Sequence, residues 1–526
     1  MIKQDNGNIS TSHLEDLYVQ DCPSLTCVLS IHQLSATLVH LCIKKCSKLT
    51  NLSLPTVVKY LEIEECSELT TLLPRDKLPG KLGSLKISRC PKLESIAERF
   101  HNNNALYKIW IEGCEKLKSI PDGLHTLSSL SDIRISYCEN LVSFPEGGFP
   151  DTDTYLSVEI KACSKLTNLS LPRTQLPEKL ASLKISWCPK LESIAERFHN
   201  NNALYKIWIE GCEKLKSIPD GLHTLKSLSD ICISYCENLV SFPEGGFPDT
   251  NTNLSVEIKA CSQLKNLSLP TVLQYLEIEE CSELTALLPR DKLPEKLASL
   301  KISWCPKLES IADRFHNNSA LYEIWIAGCE KLKSIPDGLH TLSSLSDIRI
   351  SYCANLVSFP EGGFPDTNLR VEIKACEKLK ALPQVHTLTS LQQLSLWDCP
   401  SLSFPAQGLP TNLESLAIQG HKLYEKLEEV GLQNITSLGN LSICGLPDIL
   451  SFRVEEIRIS LPPNLTHLYI GHFSNLKDLS SMGLEKLTYL QWLSVHNCPH
   501  LKSLPSLPSS LLEKHIKECP LLEEKK

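Results

Sequence analysis

The chain has 526 residues, of which 42% are hydrophobic and 22% charged, and its formal net charge is -8. This balance is typical of a folded protein, and mild acidity without blocks of Lys and Arg argues against a nucleic-acid-binding surface. No segment reaches the roughly 18 to 20 continuous apolar residues that span a bilayer, so no membrane span is predicted. The first residues also lack the apolar core of a signal peptide. We therefore expect a cytoplasmic location, with the nucleus as the alternative.

A short pattern recurs along the chain: an apolar residue, any residue, Ile or Leu, two further residues, Cys, two residues and Leu. A fixed period in the low twenties is typical of a solenoid, in which each unit is stabilised by its neighbours. We predict one solenoid domain, 1–526, with regular repeats over 14–410, irregular repeats over 411–490 and C-terminal repeats over 491–526. The 22 positions that carry the register are Cys22, Cys46, Cys66, Cys90, Cys114, Cys138, Cys163, Cys188, Cys212, Cys236, Cys261, Cys281, Cys305, Cys329, Cys353, Cys376, Cys399, His421, Leu446, Phe473, Cys498 and Cys519.

The stretch YKIWIEGCEKLKSIPDGLHTLSSL illustrates one unit. Ile109 and Ile111 are expected to point inward while Trp110 and Glu112 point outward, because side chains alternate along a strand. The Pro and Gly of PDG then end the extended part, and HTLSSLSD suits a short helical turn. Stacked units of this kind predict an α/β-type repeat solenoid of about 22 repeats. We expect a horseshoe with a parallel β-sheet on its concave face and mostly irregular, 3-10 or short helical segments on its convex side.

The 23 cysteines have a structural interpretation. Nineteen occupy the repeating position, where each is expected to be a small buried residue whose S–H satisfies a backbone carbonyl as the strand ends. Disulfides between neighbouring repeats are possible by distance, since parallel strands lie roughly 4.8 Å apart, but a reducing cytosol would exclude them. Zinc is a poorer fit because no CxxC pair groups the ligands. The cysteines outside the pattern are Cys27, Cys42, Cys232 and Cys444.

The units LEIEECSELTTLLP, LKISRCPKLESI and LSVHNCPHLKSLP resemble the leucine-rich repeats of plant intracellular immune receptors. They are most similar to the coiled-coil class of nucleotide-binding, leucine-rich-repeat disease-resistance proteins, and the resemblance covers nearly the whole chain. It implies a pathogen-sensing and autoinhibitory domain that acts in the defence response by protein binding. The implied partners are a pathogen effector or a guarded host protein, and the receptor's own nucleotide-binding region.

The chain contains no GxxxxGK[ST] phosphate-binding motif, and the paired glycines of PEGGFPD are predicted to be loops because no lysine follows them. No cofactor is therefore expected in this chain, and within the resemblance ATP or ADP would bind only an upstream nucleotide-binding domain. The repeats begin at Leu17, which leaves no room for an N-terminal cap. We expect either a missing upstream region or a truncated gene product.

Duplicated cassettes of about four or five repeats can be compared position by position. The inward residues stay the same, and the changes fall on positions that we expect to face solvent. Drift at tolerant surface positions and a variable binding face both explain this pattern. The changed sets are Arg89/Trp187/Trp304, Arg134/Cys232/Arg349 and Glu112/Glu210/Ala327, which we place at outward strand positions, and Lys108/Lys206/Glu323, which we place just before its strand.

The aromatic residues favour a binding face. Six of the seven tryptophans and three tyrosines are expected at outward strand positions, and exposed Trp and Tyr on a rigid surface are common interface anchors. The competing interpretation is that the rings stack on one another as cross-strand ladders. Two trios on successive strands could each form a patch, and two acidic triplets, Glu62/Glu64/Glu65 and Glu277/Glu279/Glu280, accompany them. The candidate residues are Trp110, Tyr137, Trp187, Trp208, Tyr235, Trp304, Trp325, Tyr352 and Trp397.

Other functional classes have weaker support. No HExxH, GxSxG or paired-carboxylate setting stands out, so an enzyme is not expected. A substrate-recruiting repeat protein of the F-box type would show a longer unit with an ITDxGL segment, which is absent. An extracellular receptor or inhibitor would accommodate glycosylation sites such as Asn51-Leu52-Ser53, but the LxxLxLxxNxLxGxIP signature of plant extracellular repeats is missing. The genomic sequence just upstream would discriminate these hypotheses.

Overall fold

We describe the fold from a computed structural model of the chain. It consists of two compact units, Met1–Leu264 and Lys265–Lys526, and each is described by itself. The prediction of one uninterrupted domain concerns both units together and stays a prediction. The structure describes residues 13–28, 37–73, 78–100, 103–169, 177–198, 201–243, 245–248, 253–267, 269–270, 272–287, 293–315, 318–405, 407–420, 423, 427–445 and 459–522.

The first unit contains eleven strands that pair in parallel, each with the next along the chain, and a separate short pair, β2 with β4. Single-turn 3-10 helices at Leu124–Thr126 and Leu222–Thr224 lie in the connections. The strands are β1 (Asp16–Gln20), β2 (Cys27–Val28), β3 (His40–Lys44), β4 (Asn51–Leu52), β5 (Tyr60–Glu64), β6 (Ser84–Ser88), β7 (Lys108–Glu112), β8 (Asp132–Ser136), β9 (Leu156–Lys161), β10 (Leu180–Ser186), β11 (Lys206–Glu210), β12 (Asp230–Ser234) and β13 (Leu254–Lys259).

The second unit contains eleven further parallel strands. Its connections hold 3-10 helices at Leu339–Thr341, Val385–Thr387, Leu432–Asn434, Ser480–Met482 and Leu484–Lys486, and a four-residue α-helix at Leu427–Val430. The strands are β14 (Leu273–Glu279), β15 (Ser299–Ser303), β16 (Glu323–Ala327), β17 (Asp347–Ser351), β18 (Leu369–Lys374), β19 (Leu391–Trp397), β20 (Ser415–Gln419), β21 (Asn440–Cys444), β22 (His467–Gly471), β23 (Trp492–His496) and β24 (Glu513–Lys517). The predicted parallel solenoid with few helices and 22 strands is confirmed.

Alternation within each strand separates the core from the exposed face. In β11, Ile207 and Ile209 are buried while Trp208 and Glu210 are half-buried on the other face. Their counterparts Ile109 and Ile111 are buried in β7, as predicted. One boundary prediction is wrong. Lys108, Lys206 and Glu323 are the first residues of their strands rather than residues before them, because the parallel ladder begins pairing one residue earlier.

The cysteine of the repeating pattern lies two residues after the end of its strand and donates its S–H to a backbone carbonyl oxygen. Cys212, for example, lies 3.6 Å from the carbonyl oxygen of Glu210, two residues earlier, and Cys90 lies 3.5 Å from that of Ser88. All nineteen cysteines in the pattern make this contact, as predicted. The prediction of burial is confirmed for seventeen of them and is wrong for Cys22 and Cys519, which follow β1 and β24, strands with a described in-unit partner on one side only. Every cysteine is a free thiol in the structure.

Buried asparagines tie successive repeats together on the side of the connections. The carboxamide of Asn201 donates to the carbonyl oxygens of Pro177 and Leu180, and its oxygen accepts from the backbone N–H of Ala203 and Leu204. Asn103 and Asn318 repeat the donor contacts in the other cassettes. Each carboxamide therefore satisfies backbone groups that the irregular connections leave without partners.

Candidate functional site

The exposed side of the sheet carries rows of side chains, because corresponding residues of neighbouring strands lie side by side. We call the middle outward residue of each strand the central row and the residue directly after each strand the rim row. The central row includes Lys86, Trp110, Arg134, Glu159, Lys184, Trp208, Cys232 and Glu257 in the first unit and Glu277, Lys301, Trp325, Arg349 and Glu372 in the second. The rim row includes Arg89, Gly113, Tyr137, Ala162, Trp187, Gly211, Tyr235 and Ala260 in the first unit and Glu280, Trp304, Gly328, Tyr352 and Ala375 in the second.

The nine predicted site residues fall into three groups. Trp110, Trp208 and Trp325 lie in the central row, at outward strand positions as predicted. Trp397 is the half-buried last residue of β19. Five others do not lie in strands, and the prediction of outward strand positions is wrong for them. Tyr137, Trp187, Tyr235, Trp304 and Tyr352 belong to the rim row.

The rim residues adopt the left-handed backbone conformation. Trp187 has φ 56° and Trp304 has φ 54°, although neither is glycine. Such a conformation costs a non-glycine residue about 1 to 2 kcal/mol. The repeat imposes it, because the N–H of Trp187 must reach the carbonyl oxygen of Glu210 at 2.7 Å while the next residue, Cys188, turns into the core. The same constraint places the Arg89 of the changed set Arg89/Trp187/Trp304 on the rim rather than in its strand.

An aromatic stack spans three repeats of the first unit. The rings of Trp187 and Tyr235 stack with centroids 5.9 Å apart and planes 29° apart. They belong to repeats separated by one strand, and Gly211 occupies the rim position between them. A Cβ at Gly211 would lie 2.6 Å from Cε3 of Trp187, so the indole leans over the glycine to reach the tyrosine. Both rings nevertheless remain about half exposed, at 47% and 49%.

The second unit repeats this arrangement. Trp304 and Tyr352 stack at 5.8 Å and 27°, and a Cβ at Gly328 would lie 2.5 Å from Cε3 of Trp304. We call the two pairs the aromatic stacks. Trp208 and Trp325, the third members of the two trios, lie in the central row, and the ring stacks join only the other two members of each trio. That each trio forms one binding patch stays a prediction. These rings stack across strands and remain exposed, so the cross-strand stacking is confirmed for them and the binding face stays a prediction.

The corresponding positions of the first cassette carry charge instead. Arg89 replaces the tryptophan and pairs with Glu65 at 2.7 Å between Nη1 and Oε1. Tyr137 is present, and the Nζ of Lys161 lies 5.7 Å from its ring centroid, much as that of Lys374 lies 5.4 Å from the ring centroid of Tyr352. The rim row of the first unit therefore contains a charged segment followed by an aromatic one.

The central-row tryptophans are held by cations of the sheet itself. The Nζ atoms of Lys86 and Lys108 lie 4.8 and 5.5 Å from the Trp110 ring centroid. The Cζ atom of Arg134, in the neighbouring strand β8, lies 6.0 Å from the same centroid. Trp208 has Lys184 and Lys206 at 5.9 and 5.3 Å. Such contacts are worth about 0.5 to 1 kcal/mol each at exposed sites. These indoles therefore contact cations of the sheet, whereas those of the aromatic stacks contact a second ring.

The first acidic triplet is partly neutralised. Glu62 accepts hydrogen bonds from Lys44 at 3.1 Å and Lys86 at 2.7 Å. Burial raises the pKa of this carboxyl, but the hydrogen bonds and charges of the two lysines outweigh burial and hold the pKa below its ordinary value. The triplet is a set of cross-strand ion pairs in this structure.

The glycines between the stacked rings were missed by sequence reasoning. A signal for them is present, because large and small residues alternate in the rim row from Gly113 through Tyr137, Ala162 and Trp187 to Gly211. The alternation can be recognised only when the end of each strand is known, because each member lies 24 or 25 residues from the next.

Parts of the chain are similar in sequence to known proteins. No protein-family model matches the chain. It is 33% identical over 175 residues to the Arabidopsis thaliana protein At3g14460, which is named as a disease-resistance protein, and this match covers 31% of the chain and 12% of that protein. It is 29% identical over 181 residues to disease resistance-like protein DSC1 of the same organism, covering 29% of the chain and 14% of that protein. YopM from Yersinia enterocolitica WA-314, a solved structure, is 17% identical with a TM-score of 0.41, covering 95% of this chain and 91% of that one.

The chain spans 12% and 14% of the lengths of these two curated relatives. The chain is a parallel β-solenoid with distant, partial similarity to plant disease-resistance proteins. Among the described residues, no helix is both long and apolar enough to cross a membrane. The same part of the chain contains no group of three or more His, Cys, Asp or Glu side chains that could hold a metal ion.

Proposed function

We propose that this chain is the ligand-recognition repeat domain of a plant intracellular immune receptor and acts in the defence response by binding proteins. The observation that carries the proposal is the pair of exposed aromatic stacks, Trp187 with Tyr235 and Trp304 with Tyr352. The partial similarity to disease-resistance proteins supports the biological setting. Its partners would be a pathogen effector or a guarded host protein, in the cytoplasm or the nucleus.

The stacks have the physical properties of interface anchors. Each presents two large rings on a rigid backbone, so little side-chain freedom remains to be lost on binding. Trp and Tyr are the residue types whose truncation most often weakens an interface by 2 kcal/mol or more. The central-row tryptophans already contact lysines of the sheet and contribute less free apolar surface.

The autoinhibitory role belongs to the same proposal. It would require the sheet face to bind the receptor's own nucleotide-binding region, and the coiled-coil class of that receptor stays a prediction that the repeats do not test. No phosphate-binding motif is present in this sequence, so nucleotide would bind the other region.

The experiment compares the aromatic stacks with a matched surface. Trp187→Ala combined with Trp304→Ala should weaken association with a recombinant nucleotide-binding region of the receptor, or with a candidate effector, by about tenfold or more. Tyr205→Ala combined with Tyr322→Ala is the control, because these tyrosines are equally exposed, at 49% each, but lie just before their strands. Equal binding by both double variants, measured by calorimetry, would contradict the proposal.

A further inference from the structure

A second surface of the sheet differs from all the others in charge. The outward positions of β19 to β23, which we call the neutral face, contain no Asp, Glu, Lys or Arg. They form three rows of five: Gln393, Ser415, Asn440, His467 and Trp492; Ser395, Ala417, Ser442, Tyr469 and Ser494; Trp397, Gln419, Cys444, Gly471 and His496.

The boundaries of the neutral face are sharp. On one side, β18 places Arg370, Glu372 and Lys374 directly beside the first residues of the three rows. On the other side, β24 places Glu513 and Lys517 beside Trp492 and His496. Among the five rim residues of these strands, all of which the structure describes, Asp398 is the one Asp, Glu, Lys or Arg, and His472 is a histidine. The absence of charge is therefore confined to five strands.

Small side chains open a depression in this face. Ser415, Ala417 and Ser442 line a cavity of about 250 Å³, and Asn440, His467, Tyr469 and Trp492 border it. Within the described part of the chain, the hydroxyl of Ser415 and the carboxamide of Asn440 make no hydrogen bond. The depression thus offers apolar walls together with unused hydrogen-bonding groups.

The size and composition of the neutral face point to a protein partner. The cavity is smaller than the roughly 300 to 1,000 Å³ of pockets that enclose a small-molecule ligand, so it fits one side chain of a larger partner. The neutral face also resembles antibody binding surfaces in composition, because both combine Tyr and Trp with Ser, Asn and Gly. In such surfaces rigid rings supply contact area and small polar residues supply adaptable hydrogen bonds.

The charge pattern determines the chemistry of that partner. A charged group docked on the neutral face would lose hydration without gaining an opposite charge, which is unfavourable. We propose that the neutral face binds a protein segment whose contacting residues are uncharged and which inserts one aromatic or aliphatic side chain into the depression. This inference rests on the proposed protein-binding function but uses strands that carry neither aromatic stack.

The probe is a phage-displayed library of random peptides of about 12 residues, selected on the full chain and followed by anisotropy measurements on synthetic peptides. Enriched peptides should contain an aromatic or aliphatic residue and few charged ones. Their Kd should change less than about twofold between about 50 and 500 mM NaCl, because no charge pair is screened. Ala417→Arg, which fills the depression with a charged side chain, should weaken binding by about tenfold or more.

Matched variants separate the possible failures. Ser157→Arg in β9, an exposed outward position, is the control and should leave Kd unchanged. Ser442→Lys replaces Ala417→Arg if the latter melts below the wild type. Peptides rich in Asp, Glu, Lys or Arg, or peptides insensitive to both depression variants, overturn the inference. So does binding of a neutral β-glucan hexasaccharide that Ala417→Arg abolishes, which would make the face a carbohydrate site. If the combination of Trp187→Ala and Trp304→Ala weakens peptide binding and Ala417→Arg does not, the proposed function stands and this inference fails.

Discussion

At the scale of single residues, neighbours in the sequence have opposite roles. Ile209 is buried in the core, whereas Trp208 beside it lies on the outer face against Lys184 and Lys206. A substitution at one position therefore tests packing, and a substitution at the next tests the surface. The same reasoning applies to the rim, where a glycine determines whether two rings can meet.

Ile209→Asp should lower the free energy of unfolding by about 3 kcal/mol or more, because it buries a carboxylate without a partner. Trp208→Ala should cost about 1 to 2 kcal/mol, the value of its two lysine contacts. Urea denaturation followed by circular dichroism measures both. If Trp208→Ala proved as destabilising as Ile209→Asp, the assignment of that indole to the outer face would be wrong.

Gly211→Ala should destabilise the first unit and open its aromatic stack. The φ of +62° disfavours alanine, and the new methyl group would meet the Trp187 ring at 2.6 Å. Gly113→Ala is the matched control, because its φ is +63° but its Cβ would meet only Arg89, at 3.4 Å or more. We expect both variants to lose about 1 kcal/mol from backbone strain. Only Gly211→Ala should also change tryptophan fluorescence, and an equal spectral response would contradict the stack.

At the scale of structural elements, each repeat depends on polar ties to the one before it. The connections contain few regular hydrogen bonds, so buried side chains replace them. Asn201 is fully buried and serves the carbonyl oxygens of Pro177 and Leu180 in the preceding repeat. Removal of this side chain takes a hydrogen-bond partner from these two carbonyl oxygens and from the N–H groups of Ala203 and Leu204.

Asn201→Ala should therefore lower the free energy of unfolding by about 2 kcal/mol or more, since each buried group left unsatisfied costs about 1 to 3 kcal/mol. Asn202→Ala is the control, because the neighbouring side chain is exposed. Chemical denaturation of the two variants gives the comparison. Equal stability would show that the buried carboxamide contributes no net stabilisation.

At the scale of the whole molecule, the repeated cysteines link stability to pH. Burial raises the pKa of the Cys114 and Cys236 thiols to about 12, well above the ordinary value of 9.0. The folded state therefore keeps protons that the unfolded chain loses. Their contribution to stability is complete below pH 9 and decreases as the pH rises towards 12.

We expect the melting temperature to fall between about pH 9 and pH 11, and the buried thiols to react with a disulfide reagent only as the protein unfolds. The measurement is a thiol assay on native and denatured protein prepared under alkylating conditions, combined with melting curves across this pH range. Nearly all 23 cysteines should be free after denaturation. Several native disulfides would instead contradict the expectation of a reducing compartment.

The sequence by itself determined the repeat, the alternation of buried and outward residues within the strands and the role of the cysteines, because these follow from local alternation and a fixed period. Ile207 and Ile209, two residues apart, must share one face of any strand. The tertiary structure alone decided that Trp187 leaves its strand in a left-handed turn and meets Tyr235 across Gly211. It also decided that uncharged residues from five separate strands adjoin one another as the neutral face. The physical reason is that these contacts depend on strand register and on the space left by a neighbouring repeat, and neither is encoded in the alternation of a single strand.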